Sequence, residues 1–327
     1  MQIIEGIKNN KFFSNPSEIQ KICLDKLKAN PLPNNKSELW RLSNKSKFLS
    51  FLDYSFDNKE SSFDFPYENI PHKIIRLIIG ENTSINLKEE NYSIRKLNDK
   101  EIVEYIHKHI SDFDKNEHWS DLLNHSLSSK KDILGLNISG KEIPPIEILS
   151  ASSSDYFNAK TLIIIVEENC KIDLLQINLG KENSSLSQST YLSIEDNASV
   201  NHGVVSYGEG KSHLLNSLNV IQKTKSQYNL GALHFQFNFA RFEININQLE
   251  GNAKTNIKGM QITKNNDQIS TYTTIQFNGP NGFLDQINKS LADEKSHAVF
   301  EGTIVVPKIA QKTDASQLSR NLLLSKH

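Results

Sequence analysis

Three short segments, far apart in this chain of 327 residues, are variants of one pattern. Glu168-Asn169-Cys170-Lys171-Ile172-Asp173, Asp196-Asn197-Ala198-Ser199-Val200-Asn201 and Gly251-Asn252-Ala253-Lys254-Thr255-Asn256 each set an asparagine, a small residue and a polar residue ahead of a strand. Asn169 to Asn197 is 28 positions, and Asn197 to Asn252 is 55, close to twice that. Strands and turns at this period, with almost no helical spacing from 160 to 306, predict a solenoid in which each coil stacks on the last. The natural architecture is a right-handed parallel β-helix, and the fold class is mainly β. The repeat also assigns Cys170, which stands where Ala198 and Ala253 stand, to a tight corner that takes a small side chain.

Upstream the pattern is helical. Asn15-Pro16-Ser17-Glu18 opens a helix carrying Ile19, Ile22, Cys23 and Leu27 on one stripe, and Pro31 and Pro33 end it. Cys23 on that stripe reads as a small packed hydrophobe. The following loop, with Lys36, Glu38, Trp40 and Arg41, leads into a short element that buries the tryptophan, with Glu38 and Arg41 available as a pair. Residues 50–95 predict irregular structure with a few short strands. Helical spacing returns through Ile102, Val103, Ile106, Ile110, Leu122, Leu123 and Leu127. His107 and His109, two apart on such a helix, point to opposite sides and cannot chelate one metal. The main border falls near 130, giving a helical and irregular domain over 1–130 and a β-helix core over 131–327.

Within the core, Leu162 to Val166 reads as a buried strand. Leu233, Phe235, Phe237 and Phe239 alternate with polar residues, whereas Phe242, Ile244 and Ile246 continue one residue out of phase, which marks a corner or a bulge. His202, His213, His234 and His297 share no spacing and are expected at the surface or in stacks.

Lys+Arg 37 against Asp+Glu 38 leaves a formal charge of −1, so no global field draws in nucleic acid or an anionic membrane. No apolar run is long enough to cross a bilayer, and the start Met1-Gln2-Ile3-Ile4-Glu5 lacks a secretion-signal layout, so a cytosolic location is expected. A mean hydropathy of −0.48 suits an extended, surface-rich fold. Two cysteines supply neither a disulfide framework nor a zinc pattern, and an iron–sulfur cluster normally takes four ligands, mostly thiolates. No cofactor or metal is therefore assigned to the chain alone. There is no nucleophile elbow or phosphate loop, and no catalytic residue is assigned. Gly279-Pro280-Asn281-Gly282 is a plain turn between coils, and Asp173, Glu195 and Asp196 read as solvated carboxylates rather than an acid/base pair.

One stretch is more specific. Phe300-x-Gly302-x-Ile304-x-Val306, then Ala310-Gln311-Lys312-Thr313-Asp314-Ala315-x-Gln317 and Asn321-Leu322-Leu323-Leu324-Ser325, resembles the end of the β-helical core of the SufB/SufD family. The order Lys36, Glu38, Trp40, Arg41 is similar to a segment near the start of such proteins, and Asp121 to Ser126 to the helix before the core. Pro280, Gln286 and Lys289 agree with the family, while Phe277 and Leu284 stand where many members have His and Ser. The absence of cysteine from 313–322 resembles the SufD branch. The resemblance implies a non-catalytic scaffold that pairs with a SufB-like paralogue and recruits a SufC-like ATPase, the complex assembling iron–sulfur clusters. It also implies a further strand and a SufC-docking helical tail beyond residue 327, so the chain as it stands is expected to bind SufC poorly. An open final coil offers unpaired backbone groups to a partner after Val306. Leu322, Leu323 and Leu324 are expected as core at the coil end. The rival reading is a β-helical carbohydrate-acting enzyme or polysaccharide-binding protein; a third is a stand-alone interaction protein.

Overall fold

The computed structural model describes residues 16–29, 40–51, 55–56, 73–80, 85–111 and 118–325. Its body is a parallel β-solenoid of about seven coils between residues 133 and 323. Strands alternate between two sheets along the chain. Sheet A takes β5 (Ile133–Gly140), β7 (Tyr156–Val166), β9 (Ser185–Ile194), β11 (His213–Gln222), β13 (Phe239–Gln248), β15 (Gln268–Phe277) and β17 (His297–Val305). Sheet B takes β6 (Ile146–Ser152), β8 (Lys171–Gly180), β10 (Ser199–Gly208), β12 (Gln227–Phe235), β14 (Lys254–Thr263), β16 (Phe283–Ala292) and β18 (Asp314–Leu323). At the N-terminal end, β3 (Asn86–Lys88) and β4 (Tyr92–Lys96) extend sheet A antiparallel, β2 (Ile75–Ile78) extends sheet B, and β1 (Ser55–Phe56) pairs with the start of β7.

The corners explain the repeat. Asn169, Asn197 and Asn252 turn the chain from sheet A to sheet B with φ of 60°, 57° and 55°, the left-handed conformation that asparagine tolerates better than most residues. The spacing doubles between Asn197 and Asn252 because Lys225, at φ 57°, holds the intervening corner. Asn281 and Lys312 continue the series. The last corner residue is small because it points into the core, as Cys170, Ala198 and Ala253 do, or a hydroxyl that closes the turn, as when Ser226 Oγ donates to the Lys223 carbonyl at 2.7 Å. Asn201 and Asp173 stack as hydrogen-bonded neighbours on consecutive coils 28 residues apart. The phase shift among the phenylalanines is a corner: β12 ends at Phe235, Gln236 takes φ 62°, and Phe237 is buried between the strands.

Inward positions stack into columns, such as Ile172, Val200 and Tyr228, then Leu174, His202 and Leu230. Part of the interior is polar and satisfied internally. Gln176 Nε2 donates to Thr190 Oγ1 at 3.0 Å, Asn178 Nδ2 to Ser206 Oγ at 3.1 Å, and Gln261 Nε2 to Ser290 Oγ at 2.9 Å.

The histidines meet the expectation in part, His297 at the surface and His234 in a stack. His297 is exposed, but His202, His213 and His234 are buried. Alternation along a parallel strand puts His202 and His234 inside the coil, where His202 Nδ1 meets Tyr228 OH at 2.9 Å and His234 stacks on Phe242 with centroids 3.4 Å apart. His213 lies on the outer face of sheet A, with Nε2 3.3 Å from Ser50 Oγ. Burial pushes the imidazoles of His202 and His234 down to about 3 and that of His213 down to about 4.

Two outcomes are expected. Asn197→Val, which forces a β-branched residue into the left-handed corner, lowers stability by about 1–2 kcal/mol, while Lys225→Asn raises it, both read by denaturant unfolding. Because the buried histidines stay neutral when folded but take a proton below about pH 6.5 when unfolded, stability falls as pH drops from 7 toward 4, by about 1.4 kcal/mol per pH unit for each. His234→Phe makes that slope shallower by one proton, measured from unfolding free energies across the same range.

Candidate functional site

Over β7, β9, β11 and much of β13 the outer face of sheet A is not open to water. The helices Glu18–Ala29 and Trp119–Leu127 and the segment around Trp40 and Phe48 cover it through a shared cluster with Phe157, Ile163, Tyr191, Leu215 and Phe239. The first helix is closed by a reciprocal pair in which Gln20 N donates to Ser17 Oγ and Ser17 N to Gln20 Oε1. Cys23 sits on its inner stripe, fully buried, and burial pushes its thiol up to about 12.

Three charged side chains, Asp121, Arg241 and Glu243, lie buried under this cover, and their burial was not visible in the sequence pattern. Asp121, on the Trp119–Leu127 helix, accepts hydrogen bonds from Ser189 Oγ (2.6 Å), Ser217 Oγ (2.8 Å), Asn219 Nδ2 (3.1 Å) and Tyr191 OH (3.3 Å), so one carboxylate ties β9 to β11. Burial alone would raise this carboxyl, but the neighbouring His118 imidazole, 3.9 Å from Oδ2, and the Ser189 hydroxyl outweigh it and hold the group below its usual range. His125 completes the network through a 2.6 Å contact of Nε2 with Tyr191 OH. Farther along, Arg241 on β13 is only 1% exposed, with its guanidinium sandwiched between the rings of Trp40 at 3.9 Å and Tyr272 at 3.8 Å. Its Nε donates to Glu243 Oε1 at 2.5 Å and its Nη1 to Ser43 Oγ at 3.3 Å.

Of the N-terminal motif, Lys36 and Glu38 lie outside the described residues, Trp40 is the ring over Arg241, and Arg41 is exposed at the start of the turn that follows. The expected Glu38–Arg41 pair therefore also falls outside what is described.

The motif at the other end forms the last described coil. Phe300 and Gly302 face inward on β17, opposite Thr271 and Thr273. A Cβ on Gly302 would sit 2.3 Å from Gln317 Oε1, so the glycine makes room for the glutamine of β18 across the coil. Ala310 is buried at the corner, Lys312 takes φ 60°, and Thr313 Oγ1 donates to the Ala310 carbonyl at 2.9 Å. Gln311 accepts at its carbonyl from Asn281 N at 2.9 Å, and Asp314 N donates to the Gly282 carbonyl at 2.9 Å. Asn321 lies opposite Ser290 in the ladder, and Ser325 Oγ donates to the Glu294 carbonyl at 3.2 Å. Gln286 and Lys289 occupy β16 beside β18, Gln286 donating to Thr273 Oγ1 at 2.9 Å. Phe277 and Leu284 are both buried toward the interior.

One expectation is corrected here. Leu322, Leu323 and Leu324 are 56%, 72% and 58% exposed rather than core, because β18 pairs with β16 on one side and no described strand lies on the other.

The chemistry-bearing residues do not converge. Among the described residues no group of three or more His, Cys, Asp or Glu side chains is placed to hold a metal. Asp173 accepts from Asn201, Glu195 pairs with Lys223, and Asp196 accepts from Thr224 N, each on its own partner. Cys170 is buried at its corner, where burial, then the Glu167 carboxylate, push its thiol up to about 11. No described helix is long and apolar enough to cross a membrane.

What the described residues present, then, is a β-solenoid with one sheet face braced by helices. Residues 149–327, more than half of the chain, match the family described as "SUF system FeS cluster assembly, SufBD core domain". The chain belongs to that family. It is 29% identical over 175 residues to the iron-sulfur cluster assembly SufBD family protein slr0076 of Synechocystis sp., 25% over 167 residues to Protein ABCI7, chloroplastic, of Arabidopsis thaliana, and 26% over 175 residues to the iron-sulfur cluster assembly protein SufD of Plasmodium berghei. Each match covers 50% of this chain but only 38%, 35% and 12% of those proteins respectively.

Asp121→Ala, which removes the acceptor shared by Ser189, Ser217, Tyr191 and the half-buried Asn219, lowers stability by about 3 kcal/mol, measured by denaturant unfolding at pH 7. Because the folded-state carboxyl titrates below its unfolded value, the advantage of the parent over this variant is present above about pH 4 and shrinks as pH falls through the native value.

Proposed function

We propose that this chain is a SufD-type scaffold subunit, without catalysis of its own, that pairs with a SufB-like paralogue and recruits a SufC-like ATPase in a cytosolic complex where iron–sulfur clusters are assembled. The observation that carries the reading is the family match, which runs from β6 through the whole stack of coils to the final one. The cluster is cargo of the complex. Both cysteines of this chain are buried and their thiols are held protonated by that burial, whereas iron is ligated by exposed or preorganised thiolates.

The SufD branch is favoured over SufB by Lys312-Thr313-Asp314-Ala315 and Asn321-Leu322-Leu323-Leu324, which carry no cysteine, and the relative from Plasmodium berghei bears the SufD name. The partner surface in this reading is the region after Val306, where no described strand pairs with the outer side of β18 and Leu323 is exposed: a paralogue's strand would satisfy the N–H and C=O groups there and dry Leu323.

Co-expression of the full-length version of the protein with its SufB and SufC counterparts tests this, and residues 1–327 alone are expected to retain SufC poorly in the same pull-down. A single complex is expected on affinity purification and size exclusion, and recovery of the full-length version alone as a monomer overturns the reading. Leu323→Asp should weaken the SufB pairing at least about tenfold, a loss of roughly 1.4 kcal/mol, while leaving the thermal midpoint of the isolated chain unchanged.

A further inference from the structure

The two sheets are treated differently by the rest of the chain. Sheet A has its outer face covered by helices over β7, β9 and β11, whereas sheet B carries an apolar outer stripe whose covering, among the described residues, stops after two coils, leaving Val205, Leu233, Phe235, Met260 and Leu291 half-buried. In ladder register across sheet B, one column runs Leu149, Ile177, Val205, Leu233, Met260 and the next runs Ala151, Leu179, Tyr207, Phe235, Ile262, Leu291, Leu322. Leu149, Ala151, Ile177 and Leu179 are buried, with Ile78 of β2 packed against them. Beyond that point none of the buried clusters takes in Val205, Leu233, Phe235, Met260 or Leu291, and Ile262 and Leu322 are plainly exposed.

The first column ends differently. Met260 is followed in register by Lys289 and Arg320, with Lys258 on the adjacent column beside Ile287. These three cations form no salt bridge with any described residue. The nearest carboxylates on the face, Asp285 and Asp314, lie toward the start of their strands, and Asp285 is already engaged by Ser316 Oγ at 2.9 Å.

We propose that this outer face of sheet B docks an acidic amphipathic helix of a partner protein, laid along the solenoid axis with its acidic end over Lys258, Lys289 and Arg320. The spacing selects a helix. Rungs of a sheet are about 4.8 Å apart, and successive residues of an apolar helical stripe rise about 4.5–6 Å, whereas same-face residues of an extended strand are roughly 6.8 Å apart. Sheet A shows the same solution, since the helix Trp119–Leu127 lies against β7, β9 and β11 in succession. From β10 to β18 the open stripe is roughly 19 Å long, enough for a helix of about 13 residues. The cations fix the sign of the partner's charge and the direction in which it lies. The Leu233 and Phe235 end of this surface lies three rungs from β18, whereas its cationic end shares β18, through Arg320, with the coil end proposed for SufB pairing, so Phe235→Ser separates the two readings.

Two synthetic helical peptides with the same leucine stripe, one with glutamates on its polar positions and one with lysines, test the proposal by fluorescence anisotropy against the full chain. The acidic peptide is expected to bind with a dissociation constant on the order of 10–100 μM, weakening several-fold when salt rises from about 0.05 to 0.5 M. Phe235→Ser and, separately, the double charge reversal Lys289→Glu with Arg320→Glu should each cost at least about tenfold, and the charge reversal should turn preference toward the basic peptide. The reversed cations are exposed side chains, so that variant keeps its fold whatever Phe235→Ser does. Equal binding of both peptides, no binding of the acidic one, or indifference to the charge reversal overturns the proposal. So does self-association of the chain that Phe235→Ser abolishes, which would make a second copy the occupant.

Discussion

The fold depends on a corner that most residues resist. The passages from sheet A to sheet B use residues at positive φ, and this chain supplies that conformation with asparagine at most of them, with glycine or by tolerating strain at others. Once the corners are set, the rest follows locally. Every strand lies parallel to the one a coil earlier, its inward side chains stack on their equivalents, and even polar residues are admitted because the neighbouring coil provides their partners. Asn178 beside Ser206 and Asn201 beside Asp173 show this stacking, one inside the coil and one on its surface.

The solenoid was legible because its determinants are local and repeat. Asn169, Asn197 and Asn252 announce the period through residue type, and the phenylalanine phase shift announces the Gln236 corner. Lys225 and Lys312 hold the same conformation without the same signal, since lysine enters the left-handed region under the pressure of its neighbours rather than by preference. The burial of His202, His213 and His234 was missed for a related reason. A His in a strand declares only which side it faces, and whether that side is the coil interior, as for His234, or a helix-covered outer face, as for His213, is decided by parts of the chain far away.

The three leucines after Asn321 show where composition misleads. Consecutive apolar residues suggest burial, but in a strand they must point alternately to both faces, and β18 has a stacking neighbour on one side only among the described residues. The family motif around them was readable as a pattern long before its mechanics were. Gly302 clears space for Gln317, Thr313 closes the corner on Ala310, and Lys312 turns it, so these motif residues serve the construction of one coil.

The burial of Asp121 and Arg241 was not legible in the sequence, because decisive partners come from far along the chain: Ser189 is 68 residues from Asp121, and Ser43 is 198 from Arg241. Their placement guards against an error to which repeated architectures are prone. Coils of nearly equal shape invite an overlying helix to settle one step too far along, with most apolar contacts still made. Displaced by a single rung toward the C-terminus, the Asp121 carboxylate would leave Ser217 for its ladder neighbour Glu243, itself an anion already committed to Arg241. A misplaced helical layer would thus bring two negative charges together in a dry interface, and the chain has a built-in means of rejecting its own most tempting mistake.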